Sequence, residues 1–330
     1  MNNLPRVSVV IPMRNEEAYI GRCLESVVTQ DYPRELVEVL VVDGGSDDES
    51  LEIVKQFAEE YSNIRLLGGP GVNCPAAMNM GLEIATGSII AKVDAHGYIA
   101  PDFLKISVNY LSKEANVKCV GGPIRPVART SVEKTNVFVR SSVFGVGKGV
   151  YSLGEEPQFV DTVQCGVYDK DIFEEVGVFD ESLQFGEDEE INWRIRKRGY
   201  KIFSTPEIRF FYFPRNSFGG LYRQYFNYGM LRVKVVRKHP DFCRLKHIIP
   251  AAFVLSLFLA GVLGILGGLF LKVFFGIVFF YIIVSFTVSA AISANEGWKY
   301  LCLLPIGFGA LHFGYGMGFV KGFIRLLRSA

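Results

Sequence analysis

Val7-Ser8-Val9-Val10-Ile11-Pro12-Met13-Arg14-Asn15-Glu16 is a run of mostly β-branched residues that ends in polar side chains, as a buried strand does where it leaves a sheet. The pattern returns at Val37–Val42, followed by Asp43-Gly44-Gly45-Ser46, and at Ile89–Val93, followed by Asp94-Ala95-His96. Near-continuous apolar strands that alternate with helices are typical of a parallel sheet covered on both faces. Ligands bind such sheets at the carboxyl ends of the strands, so the three polar segments are predicted to share one site.

The intervening segments predict the rest of this α/β domain. Between the strands we expect helices over Glu17–Gln30, from Ser46-Asp47-Asp48-Glu49 onward and over Ala76–Ala85, with a further strand at Ile64–Leu67. Later segments read as strands at Val117–Gly121 and Phe159–Val167, a helix at Glu187–Arg198 and strand-like residues over Lys201–Tyr212. The stretch Arg125–Gly154 shows neither pattern, and a loop of that length is usually functional or mobile.

Composition excludes several classes of protein. The 330 residues carry a net charge of only +1, which gives no indication of nucleic-acid binding. Six cysteines are scattered without paired spacing, which argues against a structural zinc site or a disulfide framework and fits a reducing compartment. Met1–Arg6 is polar and leads straight into a strand, so no signal peptide is predicted and the soluble part is expected in the cytosol.

The last 80 residues predict membrane association. Ile248–Leu271 and Val273–Ala294 are each long enough to cross a hydrocarbon core of about 30 Å. Only Lys272 separates them, with Gly264, Gly267 and Gly268 nearby, which indicates a tight helical hairpin. Leu301–Val320 is a third candidate, which could span, be re-entrant or lie at the interface, so the sequence leaves two or three spans open. Phe218–Arg232 mixes aromatic and basic residues at helical spacing, as an interfacial helix does. We therefore divide the chain into a cytosolic domain (1–212), a juxtamembrane segment (213–247) and a transmembrane region (248–330).

Asp94 and His96 are the candidate metal ligands. In an extended strand, residues two apart point to the same side, so this carboxylate and imidazole could face one cation. An oxygen and nitrogen pair suits Mn²⁺ and tolerates Mg²⁺. Lys92, two residues earlier, receives no role from the sequence.

The ordered set of motifs resembles the family-2 glycosyltransferases. It consists of Val7–Glu16, Val41–Asp48, Asn79-Met80-Gly81, Asp94-Ala95-His96 and Gly186-Glu187-Asp188, and the similarity covers about residues 5–235. The D-A-H form, with a membrane tail, is similar to succinoglycan-type exopolysaccharide glucosyltransferases. The resemblance implies a GT-A-type doubly wound mixed sheet with C-terminal transmembrane helices.

The resemblance also implies a site. It assigns nucleotide-sugar binding to Pro12, Asn15, Glu16, Asp43, Asn79, Asp94, Arg223 and Arg232. It assigns the acceptor site to Gly166 and Glu187, the divalent cation to Asp94 and His96, and general-base catalysis to Asp188. Asp43 would accept the imide N–H of a uracil, and Glu16 or Glu17 would contact the nucleoside.

The sequence departs from the family pattern in three places. His96 stands where the second Asp of a D-x-D metal site is usual, which leaves the choice between Mn²⁺ and Mg²⁺ open. Met78 precedes Asn79 where Arg is common; Arg125, Arg215 and Arg223 are candidate substitutes for neutralising the diphosphate. Gln224 and Arg232 resemble a Q-x-x-R-W-type motif whose Trp is missing, which favours transfer of one sugar over polymerisation.

The resulting hypothesis is a membrane-anchored, metal-dependent, inverting glycosyltransferase of polysaccharide biosynthesis. It would use a UDP-linked donor and a lipid-linked saccharide acceptor at the cytosolic face of the inner membrane, alongside other proteins of the pathway. The alternatives are a processive polysaccharide synthase and a catalytically silent membrane scaffold. A nucleotidyltransferase is disfavoured because Pro12–Glu16 is not a glycine-rich phosphate loop.

Overall fold

The structure, a computed structural model, describes residues 4–146, 156–183, 186–243, 245–265 and 267–328. The strands are β1 (Val7–Met13), β2 (Val37–Asp43), β3 (Ile64–Gly68), β4 (Ile89–Lys92), β5 (Gly97–Ile99), β6 (Val117–Gly121), β7 (Ile124–Pro126), β8 (Gln158–Phe159), β9 (Val167–Asp169), β10 (Lys201–Ser204) and β11 (Phe210–Tyr212). The helices are α1 (Ile20–Val28), α2 (Ser50–Glu60), α3 (Cys74–Ile84), α4 (Phe103–Lys113), α5 (Ser131–Ser141), α6 (Ile172–Val176), α7 (Glu187–Lys197), α8 (Phe218–Lys238), α9 (Leu245–Leu263), α10 (Gly268–Glu296) and α11 (Leu303–Arg328).

The first unit is built on a mixed sheet of the order β3-β2-β1-β4-β9-β6-β10-β8. Strands β1 to β4 are parallel, and their crossovers run through α1, α2 and α3. Strand β9 runs antiparallel between β4 and β6. Its first residues therefore lie at the carboxyl end of β4, where the polar segments after β1, β2 and β4 also meet.

Both faces of this sheet are covered because successive side chains of each strand point to opposite sides. Val9 and Ile11 belong to the core on one face, together with residues of α1. Val10 belongs to the core on the other face, against α3 and α7. Burial on both faces explains why β1 and β2 read as continuous apolar runs. A smaller sheet, β5-β11-β7, continues the same unit.

Several predicted elements differ from those observed. The helix expected from Ser46 begins at Ser50, because the residues before it form a loop held by Asp43. The strand predicted over Phe159–Val167 is two short strands at either end, β8 and the start of β9. The stretch Arg125–Gly154 contains α5, whose first turn is closed by a capping box between Thr130 and Glu133. Residues 147–154 of this stretch lie outside the described part of the chain.

The chain divides into two compact units. One comprises Met1–Val127 with Val150–Phe213, and the other comprises Ala128–Gly149 with Pro214–Ala330. Of the residues predicted to form the cytosolic domain, 128–146 group with the C-terminal residues. The reason is visible in α5, whose Val139 joins an apolar core with Leu221 of α8 and Phe308 of α11.

The second unit holds the apolar helices. Two of those described are long and apolar enough to cross a membrane, α10 and α11, and α9 is shorter. The predicted turn at Lys272 is wrong: Lys272 lies inside α10, and the helices are interrupted between Leu263 and Gly268. Gly264, Gly267 and Gly268 explain the position of this break, since glycine is among the weakest helix formers.

His312, a polar residue in the middle of α11, has a partner for each ring nitrogen. Nε2 lies 2.7 Å from the carbonyl oxygen of Phe144, and Nδ1 lies 3.0 Å from the hydroxyl of Tyr281. A carbonyl oxygen only accepts, so Nε2 carries the proton and Nδ1 accepts from the tyrosine. The histidine thus joins α10, α11 and the turn after α5.

Candidate active site

Asp43 shapes the loop that follows β2, and Asn15 joins this loop to the one that follows β1. The buried carboxylate of Asp43 accepts hydrogen bonds from the amides of Gly45 and Ser46 and from the Ser46 hydroxyl. Asn15 has a positive φ of 55°, and its side-chain oxygen accepts from the amide of Asp47 at 3.0 Å. Both predicted nucleotide-binding residues therefore shape the loops at the carboxyl end of the sheet, and their contact with a nucleotide stays a prediction.

Pro12 and Glu16 lie at the same end of the sheet. Pro12 is the penultimate residue of β1 and is half-buried. Glu16 donates its amide to the Ser50 hydroxyl, at 2.8 Å, and its carboxylate lies 3.5 Å from Nδ1 of His96. Glu17, the alternative to Glu16, accepts a hydrogen bond from the amide of Glu49 at 3.1 Å. Of the two acids, the structure brings only Glu16 to His96.

Asp94 and His96 lie just beyond β4, which ends at Lys92, so they do not extend along one strand as their spacing suggests, and whether they face one cation stays a prediction. They are nevertheless close enough to affect each other's charge. Burial raises the pKa of Asp94, but the positive charges of Lys92 and His96 outweigh it and lower that pKa. Burial lowers the pKa of His96, but Glu16 and Asp94 outweigh it and raise that pKa to about 9. A cation at this pair would displace the proton from His96.

Lys92 is the centre of the site. Its side chain is 1% exposed, and Nζ lies 2.7 Å from Glu187 Oε1, 2.7 Å from Asp188 Oδ2 and 3.5 Å from Asp94 Oδ1. Burying an ammonium costs several kcal/mol unless opposite charges compensate it. Here the three carboxylates more than compensate, and the pKa of Lys92 is raised although burial alone lowers it. Lys92 is therefore a permanent cation between the turn after β4 and the start of α7.

The two carboxylate oxygens of Asp188 differ in their hydrogen bonding. Oδ2 accepts from Lys92, whereas Oδ1 is buried and accepts no hydrogen bond from any residue that the structure describes. Burial is the largest cause that raises the pKa of Asp188, to about 7, with Glu187 and Asp94 adding to it and Lys92 opposing it. A carboxylate with a pKa near neutrality is well matched to accept a proton at physiological pH.

The residues at this position fit a divalent cation. One ammonium faces three carboxylates, so with all four groups ionised two negative charges remain, as many as one divalent cation neutralises. Within the described ranges, no three His, Cys, Asp or Glu side chains form a closed metal cage. Asp94 and His96 would then form an open two-ligand site with coordination positions left for a substrate, and this role stays a prediction.

Asn79 lies inside α3 and uses its amide within the protein. Its nitrogen donates to the carbonyl oxygen of Phe179 at 2.9 Å and to the Glu181 carboxylate at 2.8 Å, and its oxygen accepts from the amide of Phe179. This side chain fixes the segment that precedes α7. Its predicted nucleotide contact stays a prediction.

Two glycines set the geometry around the acids. Gly186 begins α7 with a φ of 75°, a left-handed conformation that favours glycine. Gly166 accepts the amide of Lys92 through its carbonyl oxygen, at 3.0 Å. A β-carbon at Gly166 would come within 2.8 Å of the Tyr168 hydroxyl and 2.9 Å of the Cys119 sulfur. Any larger residue there, next to Lys92, would force the Tyr168 or Cys119 side chain to shift, and the role of Gly166 in an acceptor site stays a prediction.

The remaining predicted residues belong elsewhere in the chain. Arg223 and Arg232 lie on α8 in the second unit, and their contact with the diphosphate stays a prediction. Arg125 lies at β7 and donates to the carbonyl oxygen of Pro206 at 3.2 Å. Sequence reasoning missed Lys92 and Cys74, whose thiol donates to Glu187 Oε1 at 3.3 Å. The available signal for Lys92 was a lysine inside an otherwise apolar strand.

Comparison with known proteins identifies the family. Residues 8–177 match the family described as Glycosyl transferase family 2. One relative is the dolichyl N-acetyl-alpha-D-glucosaminyl phosphate 3-beta-D-2,3-diacetamido-2,3-dideoxy-beta-D-glucuronosyltransferase of Methanococcus voltae, 29% identical over 97% of each chain. Another is the succinoglycan biosynthesis protein ExoA of Rhizobium meliloti (strain 1021), 30% identical over 74% of each chain.

A solved structure supports the fold. The mannosyltransferase PcManGT from Pyrobaculum calidifontis, in complex with GDP-Man and Mn²⁺, superimposes with a TM-score of 0.62 at 19% identity, covering 98% of this chain and 88% of the other. The predicted GT-A-type α/β fold is confirmed by this similarity. With the matched residues taking up more than half of its length, the chain is a glycosyltransferase that belongs to family 2.

Proposed function

We propose that the protein transfers one sugar from a nucleoside diphosphate sugar to a lipid-linked saccharide, with inversion at the anomeric carbon and in dependence on a divalent cation. The observation that carries this proposal is Asp188. Its buried Oδ1 accepts no hydrogen bond from the described residues, and its pKa is raised to about 7. Lys92 contacts both Asp188 and Asp94.

Asp188 is the general base in this proposal. Oδ1 takes the proton of the acceptor hydroxyl while that oxygen forms a bond to the anomeric carbon. The bond between the anomeric carbon and the diphosphate oxygen breaks, and its electron pair leaves with the diphosphate. A single displacement from the opposite face inverts the configuration.

Asp94 and His96 would hold the cation. When bound, a divalent cation supplies charge stabilisation to the diphosphate leaving group. Asp94 has its charge partly balanced by Lys92, 3.5 Å away, so the carboxylate stays ionised and available as a ligand. Mn²⁺ and Mg²⁺ are both compatible with one carboxylate, one imidazole and open positions.

Asp43 bears on the identity of the donor, and similarity to a known transferase bears on the acceptor. We favour a UDP-linked donor, with Asp43 as the acceptor for the imide of the base; rearrangement of the loop after β2 would be needed, because Ser46 and Gly45 now donate to that carboxylate. The name of the M. voltae relative describes a transferase acting on a dolichyl-linked N-acetylglucosaminyl phosphate. Similarity over 97% of both chains supports a lipid-linked acceptor here.

The apolar helices of the second unit support a position at the membrane. We propose that the protein is integral to the cytoplasmic membrane with the active site on the cytosolic side, in a pathway of polysaccharide synthesis. Other proteins of such a pathway are possible partners.

Nucleotide release by purified protein in detergent tests the proposal. The protein is incubated with a panel of UDP- and GDP-linked sugars and a lipid-extract acceptor, with Mn²⁺, with Mg²⁺ or with EDTA. We expect release that depends on the cation and falls at least 100-fold in Asp188→Asn, the scale expected for loss of a general base. Asp94→Ala is expected to raise the cation concentration needed for half-maximal rate.

Asp169→Asn is the matched control. Asp169 lies at the other end of the same sheet, where it pairs with Lys118. It should keep the wild-type rate. Transfer that persists in EDTA, or in Asp188→Asn, would contradict the proposal. Product lengths of one added sugar distinguish single transfer from processive synthesis.

A further inference from the structure

Lys92 connects the two halves of the proposed reaction, and the inference below rests on the proposed function. Its ammonium reaches the base, Asp188, and the candidate cation ligand, Asp94, which belong to elements far apart in sequence. It also holds Glu187, whose Oε1 is shared with the Cys74 thiol. In contrast to Lys92, each of the other described lysines in the strands of this sheet makes one ion pair or none; Lys118, for example, pairs only with Asp169.

We propose that Lys92 is a positioning residue for catalysis: by holding Oδ2 of Asp188, its ammonium leaves Oδ1 as the oxygen that receives the acceptor's proton. Lys92 itself transfers no proton. It fixes which carboxylate oxygen is free and keeps the start of α7 at the turn that follows β4.

The hydrogen-bond pattern supports a role beyond packing. A lysine needed only to fill the core would be replaced by an apolar residue at a gain, because burying charge is costly. Lys92 instead has two carboxylates at 2.7 Å on consecutive residues, Glu187 and Asp188. Two contacts on one helical turn restrain both the rotation of the helix and the torsion of the Asp188 side chain. The free oxygen, Oδ1, is the direct consequence.

The groups that face Asp188 are of two kinds. Those with charge are Lys92, Glu187 and Asp94. Those that stay neutral, because burial raises the pKa of each, are Cys74, Cys119, Cys165 and Tyr168. Lys92 is thus the only cation that acts on Asp188 among these described groups. Its removal is expected to make Asp188 a weaker acid as well as a misplaced one.

Lys92→Met and Lys92→Arg test this inference, with Lys118→Met as the matched control. We expect Lys92→Met to lower kcat about 100-fold or more, while the KM for the donor changes less than about threefold, since the loss of a base or its placement acts on the chemical step. We also expect the acidic limb of its kcat–pH profile to move to higher pH. Lys92→Arg, which keeps the charge, should recover part of kcat and keep the wild-type limb. Lys118→Met should match wild type in both.

A second readout separates misfolding from mispositioning. Binding of UDP and Mn²⁺ by Lys92→Met, measured by calorimetry, should remain if the variant folds. A wild-type kcat in Lys92→Met overturns the inference, and so does a uniform fall in rate without movement of the limb. If wild type transfers sugar and Asp188→Asn does not, either result refutes the role of Lys92 alone. If Asp188→Asn remains active, the proposed function fails first.

Discussion

At the scale of single residues, the pKa of Asp188 predicts how activity depends on pH. The base must be deprotonated to accept a proton, and burial raises its pKa to about 7. We therefore expect kcat to be near its plateau above pH 8 and to fall about tenfold per pH unit well below pH 7, as for one essential ionisation. The measurement is kcat between pH 5.5 and 9 at saturating donor, acceptor and cation. A rate that stays flat down to pH 5.5 would rule out Asp188 as the base.

Single residues also show what the sequence could and could not predict. The order of the motifs predicted Asp94, His96 and Asp188 as site residues, and the structure brings Asp94 and Asp188 to the same lysine. The role of Lys92 could not be predicted, because 95 residues separate it from Glu187 and its direction depends on where β4 ends. Nor does a motif reveal that the Asn79 amide already has partners in the protein.

At the scale of elements, the carboxyl ends of the parallel strands carry the candidate site, whereas a buried glutamate joins the strands near their amino ends, which leads to a stability prediction. Glu38 lies near the amino end of β2 and is 6% exposed. Its carboxylate accepts from the Ser8 hydroxyl and from the amides of Thr86 and Gly87, joining β1, β2 and the segment before β4. Glu38→Gln should lower the free energy of unfolding by about 1–3 kcal/mol and leave kcat unchanged.

The dependence of this effect on pH follows from the same contacts. Burial raises the pKa of Glu38, but the hydrogen bonds from Ser8, Thr86 and Gly87 outweigh it and lower that pKa. The stabilisation is therefore complete above the ordinary glutamate pKa and is lost as the pH falls through the lower, folded-state value. Thermal melting of Glu38→Gln against Glu59→Gln, an exposed carboxylate on α2, measures it at pH 7 and pH 4. Equal melting temperatures for the two variants at pH 7 would contradict the prediction.

Elements differ in how far local sequence determines them. Strands β1 and β2 and helices α1 and α3 were predicted because burial on both faces or one face leaves a clear period. The limits of the helical hairpin were not predicted correctly, because Lys272 was taken as the break between the helices. A single lysine hardly weakens a helix, whereas the three nearby glycines weaken it more. Helix α5 was missed because its buried face is completed by α8 and α11, which are far away in the chain.

At the scale of the whole molecule, length and packing give different answers about the membrane helices. Helix α11 has 26 residues and could span by length. Yet it runs alongside α8 with close contacts, since β-carbons on Gly314 and Gly322 would meet the backbone of Tyr222 and Met230. The C-terminal half of α8 carries the basic residues Arg232, Lys234, Arg237 and Lys238, which are costly to place in hydrocarbon. A helix packed along α8 is therefore better suited to the interface than to a crossing.

We therefore predict that α9 and α10 form the crossing hairpin, and labelling can test this. The 19 residues of α9 extend about 28 Å at 1.5 Å per residue, close to the thickness of the hydrocarbon core. We expect Gly267→Cys, between the two helices, to react with an impermeant maleimide from one side of sealed vesicles. Native Cys302, before α11, and Arg328→Cys, at its end, should react from the other side. Cys243 is replaced by Ser in every variant, and Cys302 is also replaced in the variants that carry an introduced cysteine. If α11 crosses instead, Cys302 and Arg328→Cys must label from opposite sides. An interfacial α11 keeps both positions on the same side as the basic residues of α8, which is the cytoplasmic side by the positive-inside rule.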